Sequence, residues 1–228
     1  MRGLGWLCRV GPAPIDAWGW APGNARSHAA RLMRQGWIAR VARPRGHGSL
    51  YYATRQGVVV VGLPIPPVPV PAPTWWAHHA ACAWVAAWLV VRERGMIGPR
   101  ELLFDDTWRG ELTWQSTSRP VEHRPDLIGV VPGRRPAAIE VELTRKSKAR
   151  VRSILGLHAR WIAAGQSGAC VYVCGTDELR ELIASQASGA GLSIASGTLR
   201  VELLQTIKRQ ADRRTGDVPR GTDLARAS

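Results

Sequence analysis

The sequence predicts a mixed α/β chain in two parts, a small helical unit at the N terminus and a larger sheet domain after it. Three observations carry that prediction. A proline-rich stretch, LPIPPVPVPAPT from Leu63 to Thr74, separates two differently patterned segments. Before it, a segment with Ala25, Ala29, Leu32 and Met33 at helical spacing leads into two short apolar runs of strand length. After it, apolar runs and amphipathic segments follow in the order α-β-β-β-α-β-α-β. A chain of 228 residues with 45% hydrophobic content has material for one large core or two small ones.

Residues 1–62 read as one unit. PIDAWGWA is a short helix, and GNARSHAARLMRQGWI is a second one, with Asn24 placed as its N-cap. Arg26, Ser27, Arg31 and Arg34 fall opposite that helix's apolar face. IARVARPRGHGSLYYATRQGVVVVG then reads as two apolar strands around the basic turn RPRGHG, which holds Arg43, Arg45 and His47. Residues 63–74 form a stiff polyproline spacer.

From Trp75 the second domain begins. WWAHHAACAWVAAWLVVRERG is apolar all round, so it is a helix buried on every side and stopped by Gly95. His78 and His79 at its start read as capping or packing residues. ELTWQSTS alternates and is the first strand; DLIGVV and AAIEVEL are continuous apolar runs suited to central strands. SKARVRSILGLHARWIAAG carries Val151, Ile154, Leu155, His158, Trp161 and Ile162 on one helical face, which makes His158 a core histidine. ACVYVCG is a strand, DELRELIASQA a helix and LRVELLQ a last strand, closing the domain at 205. The basic, polar residues 206–228 are expected to be disordered. Most of the eleven tryptophans fall on apolar stripes, Trp37, Trp84, Trp88 and Trp161 among them, and belong to the core.

The charge is lopsided: 31 Lys and Arg against 17 Asp and Glu give a net charge of +14. Codon bias in a GC-rich genome explains arginine over lysine but not the shortage of acids. A polyanion is the expected partner, and nucleic acid is the commonest one. The four cysteines lack metal-ligand spacing and read as reduced thiols of a cytoplasmic protein. MRGLGWLCRV is too short and interrupted for a signal peptide, and the apolar run Ala80–Val91 is too short for a membrane span.

Scarce acids nevertheless stand in apolar strands. Glu140 and Glu142, two apart, point to one face of their strand. Asp126 opens the preceding strand, which the short turn PGRRP makes antiparallel. Three carboxylates thus converge at one end of a sheet, with Lys146 and Lys148 just beyond. One reading is a divalent-metal site of oxygen ligands. The other is pairing with the arginines around them, Arg124, Arg134, Arg135 and Arg145, with Glu142 bridged to Arg145 or Lys146.

Two resemblances follow from these residues. HAARLMRQGWIARVARPRGHGSLYYATRQGVVVVG resembles the winged helix-turn-helix domains of bacterial regulators and plasmid replication-relaxation proteins. Those domains have a Leu-x-x-x-Gly-Leu-Val helix end, filled here by LMRQGWI, and a Tyr-x-Leu-Thr-x-x-Gly strand, filled by YYATRQG. Their first helix falls on MRGLGWLCRV, which is short for the role. The second part, with RPD at 124–126 and IEVE at 139–142, resembles the restriction-endonuclease-like (PD-(D/E)xK) nucleases.

The first resemblance implies double-stranded DNA binding by Asn24, Arg26, Ser27, Arg31, Arg43, Arg45 and His47. The second implies Asp126 and Glu140 as Mg²⁺ ligands, with an added acid from Glu93 or Glu101. The family's lysine should stand at 142, where this chain has Glu142, so Lys146 is the candidate to reach back and complete a catalytic set of Asp126, Glu140, Glu142 and Lys146. The layout is also similar to proteins of actinobacterial plasmids and mobile elements.

Two functions are therefore expected. The first is a DNA-binding replication or transcription regulator with a nuclease-like domain. The second is a Mg²⁺-dependent DNA endonuclease. A toxin–antitoxin or abortive-infection regulator would use the same kind of wing, and winged-helix regulators often pair as homodimers to read palindromes.

Overall fold

The computed structural model describes residues 2–18, 25–41, 49–66, 72–92, 94–114 and 119–217. Its mixed α/β architecture is the class the sequence predicts.

The N-terminal unit runs α1 (Arg2–Val10), β1 (Ala13–Pro14), a 3-10 turn (Ile15–Trp18), α2 (Ala25–Arg34), β2 (Ile38–Val41), β3 (Leu50–Ala53) and α3 (Arg55–Val61). Its strands form an antiparallel sheet of order β1-β3-β2. Helix α2 buries Ala29 and Leu32, whereas Met33, expected on that face, lies at the margin of the stripe and is exposed. Gly36 ends α2 in the left-handed region at φ 69°, where its N–H donates to the Met33 carbonyl at 2.9 Å.

The second strand of the hairpin stops at Ala53, and the valine run expected within it is helix α3 instead. Local chemistry explains the switch. Thr54 Oγ1 accepts the Gly57 N–H at 3.1 Å and donates to the Gly36 carbonyl at 2.7 Å, so the threonine caps α3 and ties it to the end of α2. A Cβ on Gly57 would collide with the Trp37 carbonyl, so the glycine lets α3 close on the hairpin. Valine's weak helix preference costs only a few tenths of a kcal/mol per residue, about what one good cap recovers. Asn24, Arg43, Arg45 and His47 lie outside the described residues.

The second part runs α4 (Trp76–Val91), β4 (Gly95–Ile97), α5 (Pro99–Leu102), a 3-10 turn (Asp106–Trp108), β5 (Gly110–Leu112), β6 (Val121–His123), β7 (Leu127–Val130), β8 (Ala137–Glu142), α6 (Lys148–Ala163), β9 (Ala169–Cys174), α7 (Asp177–Ala187), β10 (Leu199–Leu203) and α8 (Leu204–Asp217). The main sheet has five strands in the order β10-β9-β8-β7-β4. β4, β7 and β8 are antiparallel neighbours, while β9 and β10 join parallel to β8 through the crossover helices α6 and α7.

The expected first strand is corrected. β4 occupies that edge, because apolar Met96 and Ile97 pair against Gly129 and Ile128. The segment read as a strand from Glu111 contributes only to β5, which pairs with β6 in a separate ribbon where Glu111 stands opposite Glu122. Residues 115–118 lie outside the described residues.

The main sheet is the middle of three layers. Leu127, Ile139, Val141, Val171 and Val173 face α4 and α8. Ile128, Ala138, Cys170, Tyr172 and Cys174 face α6 and α7. The tail expected to be disordered from Thr206 is, as far as Asp217, helix α8. Ile207 and Ala211 are buried, and Gln210 Oε1 accepts from Trp88 Nε1 at 2.9 Å and from Arg92 at 2.7 Å.

The N-terminal unit shares the α4 core. Leu4, Leu7 and Trp18 join Ala81, Val85 and Trp88 in one apolar cluster, and Arg9 Nε bonds Glu101 Oε2 at 2.8 Å across the junction. Within the proline-rich stretch Ile65 is buried and the Pro66 carbonyl accepts from Arg100 at 3.1 Å, while residues 67–71 lie outside the described residues. Among the described residues, no helix is long and apolar enough to cross a membrane.

Candidate functional site

Alternation along β8 sends Ile139 and Val141 toward α4 and Glu140 and Glu142 toward α6. Both carboxylates are buried there. Glu140 is held by histidines from two other elements. Nε2 of His123, at the end of β6, and Nε2 of His158, on the apolar face of α6, each lie 2.8 Å from Glu140 Oε1. The His158 side chain is 0% exposed, and its ring packs edge-on against Trp161 and Tyr172. Among the described residues its Nδ1 has no hydrogen-bond partner, and neither does the buried hydroxyl of Tyr172. Burial alone would raise the Glu140 carboxyl, but His123 and His158 outweigh it and hold the group far below the usual carboxylate range. Burial opposes protonation of His123, and the Glu140 carboxylate overcomes it, so that imidazole is shifted up.

Asp126 belongs to a second group. Its Oδ2 accepts the Val141 N–H at 2.7 Å, and its Oδ1 lies 2.9 Å from Nε2 of His78, in the first turn of α4. Cys82, one turn further along α4, completes a trio whose donor atoms lie within 4.8 Å of one another. Burial pushes the neighbouring His79 down to about 4, with the adjacent His78 adding to the effect. The trio opens on a cavity of about 570 Å³ between the two parts of the chain, lined also by Gly11 and Tyr52 from the N-terminal unit and by Arg100 and Arg124.

The four catalytic candidates named from the sequence thus divide among three settings. Asp126 joins His78 and Cys82, Glu140 joins His123 and His158, and Glu142 forms an ion pair with Lys146. The pairing of Asp126 and Glu140 with arginine is replaced by pairing with histidine, because the arginines stand elsewhere: Arg124 bonds Glu122 and Asp106. Glu101 faces Arg9 and the Gly98 N–H, and Lys148 is exposed at the start of α6. Glu93 lies outside the described residues. On α2, Arg26, Ser27, Arg31 and Arg34 are exposed, and Arg31 Nη2 lies 3.0 Å from His28 Nδ1.

The three histidines were not assigned to the carboxylates from sequence. The available signal was their type: a histidine on an apolar face needs a buried polar partner, and Glu140 is the acid in the strand beneath α6.

Mg²⁺, which the nuclease resemblance implies, takes oxygen donors and keeps several waters. Both Asp126 oxygens already accept protein N–H groups or face an imidazole, and Glu140 sits between two ring nitrogens. That donor set is a poor match to so hard an ion. No protein-family model, curated protein or solved structure matches this chain.

Proposed function

We propose that this chain is a double-stranded DNA-binding protein, with a winged helix-turn-helix unit at its N terminus carried on a restriction-endonuclease-like sheet body. One observation carries the proposal. Helix α2 exposes Arg31 and Arg34 opposite its buried stripe and Arg26 at the edge of it, next to a sheet of order β1-β3-β2, in a chain of net charge +14. A helix so placed, preceded by a turn and followed by a hairpin, enters a major groove with its basic side chains against phosphates. The order α4-β4-β7-β8-α6-β9, antiparallel through β8 and parallel at β9, supports the second half of the reading.

Regulatory binding is favoured over cleavage. Position 142, where the nucleases have their lysine, holds a buried acid that Lys146 neutralises. The endonuclease reading keeps one observation in its favour: Asp126, immediately before β7, lies across from Glu140 of β8, next to the Leu127–Ile139 pair.

The test is fluorescence anisotropy on labelled duplex DNA across a salt series. The logarithm of the binding constant falls by about 0.9 per phosphate contact for each logarithmic unit of salt. The Arg31→Ala, Arg34→Ala double variant is expected to bind more weakly, with a slope shallower by roughly 1–2. Unchanged affinity and slope would remove α2 from the interface. Supercoiled plasmid incubated in Mg²⁺ or Mn²⁺ should stay intact; nicking by the wild type but not by Asp126→Ala or Glu140→Ala would restore the endonuclease.

A further inference from the structure

We propose that His123, Glu140 and His158 form a binding site for a borderline divalent transition ion of the Mn²⁺, Fe²⁺, Co²⁺ or Zn²⁺ class. The site stands independently of DNA binding. Its donor geometry is specific. Nε2 of His123 and Nε2 of His158 each lie 2.8 Å from one oxygen, Oε1 of Glu140, and all three atoms fall within 4.8 Å of one another. Metal–ligand bonds of about 2.1 Å set neighbouring donors about 3.0 Å apart at right angles and about 3.4 Å apart at a tetrahedral angle. The two 2.8 Å spacings approach two edges of an octahedral face, and the donors are the two-histidine, one-carboxylate set that binds such ions and leaves positions open.

Hydrogen bonding alone accounts for the cluster less well. Without an ion, both rings have to carry a proton on Nε2 and aim it at the same oxygen. An ion in place of the two protons uses both Nε2 lone pairs and compensates the charge of the buried Glu140 carboxylate. Three separate elements fix the donors: β6, β8 and α6. The approach is from the His123 side, where that ring is 15% exposed while His158 is closed off. Nitrogen donors exclude Mg²⁺ and Ca²⁺ as the preferred occupants.

The experiment uses the full chain, stripped with chelator and titrated with Co²⁺ while its visible d–d absorption is followed, then challenged with Zn²⁺. The wild type should take up about one equivalent of Co²⁺ and lose the bands to Zn²⁺. His123→Gln and Glu140→Gln should each weaken uptake by at least ~10-fold, and Asp126→Asn should retain it. Circular dichroism confirms that each variant is folded, and the partly exposed His123 supplies a substitution the core tolerates. The proposal is overturned if the wild type takes up no ion, if either ligand variant binds as the wild type does, or if Asp126→Asn abolishes uptake. Anisotropy on the same preparations reads DNA binding separately.

Discussion

Glu140 and Glu142 share a strand face, yet their surroundings assign them different work. Glu142, the last residue of β8, is met by Lys146 four residues on; Glu140, two residues earlier on the same buried face, is met by the rings of His123 and His158 instead. The acids were legible in the sequence because a carboxylate in an apolar strand has to be answered. Which group answers was not, since His123 and His158 approach Glu140 from opposite directions along the chain and neither follows a spacing rule. His79 gives this scale its own prediction. Burial and the charge of His78 depress its pKa to about 4, against 6.5 in the unfolded chain, with Asp126 pulling weakly the other way. Between those values the unfolded state binds the extra proton, so the contribution to stability is present above pH 6.5 and is lost as the pH falls toward 4. Urea midpoints measured at pH 7 and pH 5 should fall less for His79→Gln than for the wild type, and equal falls would refute a His79 held neutral by the fold.

Among the elements, most helices and strands lie where periodicity places them, and the exceptions have physical causes. The valine run looks like strand by composition, but the Thr54 and Gly62 caps and the close approach at Gly57 make it a helix. Helix α8 was concealed in the same way. Its lysine and arginines suggest a solvated tail, yet Leu204, Ile207 and Ala211 keep the spacing of an apolar stripe and are buried. Its basic face is not idle either: Lys208 sits 5.9 Å from the Trp84 ring centroid, and Gln210 binds the indole N–H of Trp88. α8 is therefore a structural part of the α4 layer. Ile207→Ala should cost about 2–5 kcal/mol in urea unfolding, the range for truncating a buried aliphatic side chain. A loss below about 0.5 kcal/mol, as for an exposed position, would return these residues to the status of a loose tail.

At the scale of the whole molecule, the apolar character of α4 on every side reaches further than its assignment as a buried helix. One helix face can be covered by the sheet, and a helix with no polar face needs further cover. Sheet strands β7–β9 cover one side, α8 another, and the N-terminal unit supplies the rest through Leu4, Leu7 and Trp18. The proline-rich stretch marks a change of pattern in the sequence, and on that evidence it reads as a boundary between independent units. The packing joins what the composition separates: Ile65 is buried at one end of the stretch, and the Arg9–Glu101 ion pair spans the junction. A shared core couples the folding of the parts it joins, because neither can expose its half without leaving apolar area in water. Thermal unfolding followed by calorimetry should accordingly show a single transition, with the calorimetric and van't Hoff enthalpies in agreement. Leu7→Ala, which removes a fully buried side chain from the N-terminal unit, should move that entire transition down rather than release an early component. Two resolved transitions, only the first of them sensitive to Leu7→Ala, would show that the N-terminal unit folds on its own and merely rests on α4.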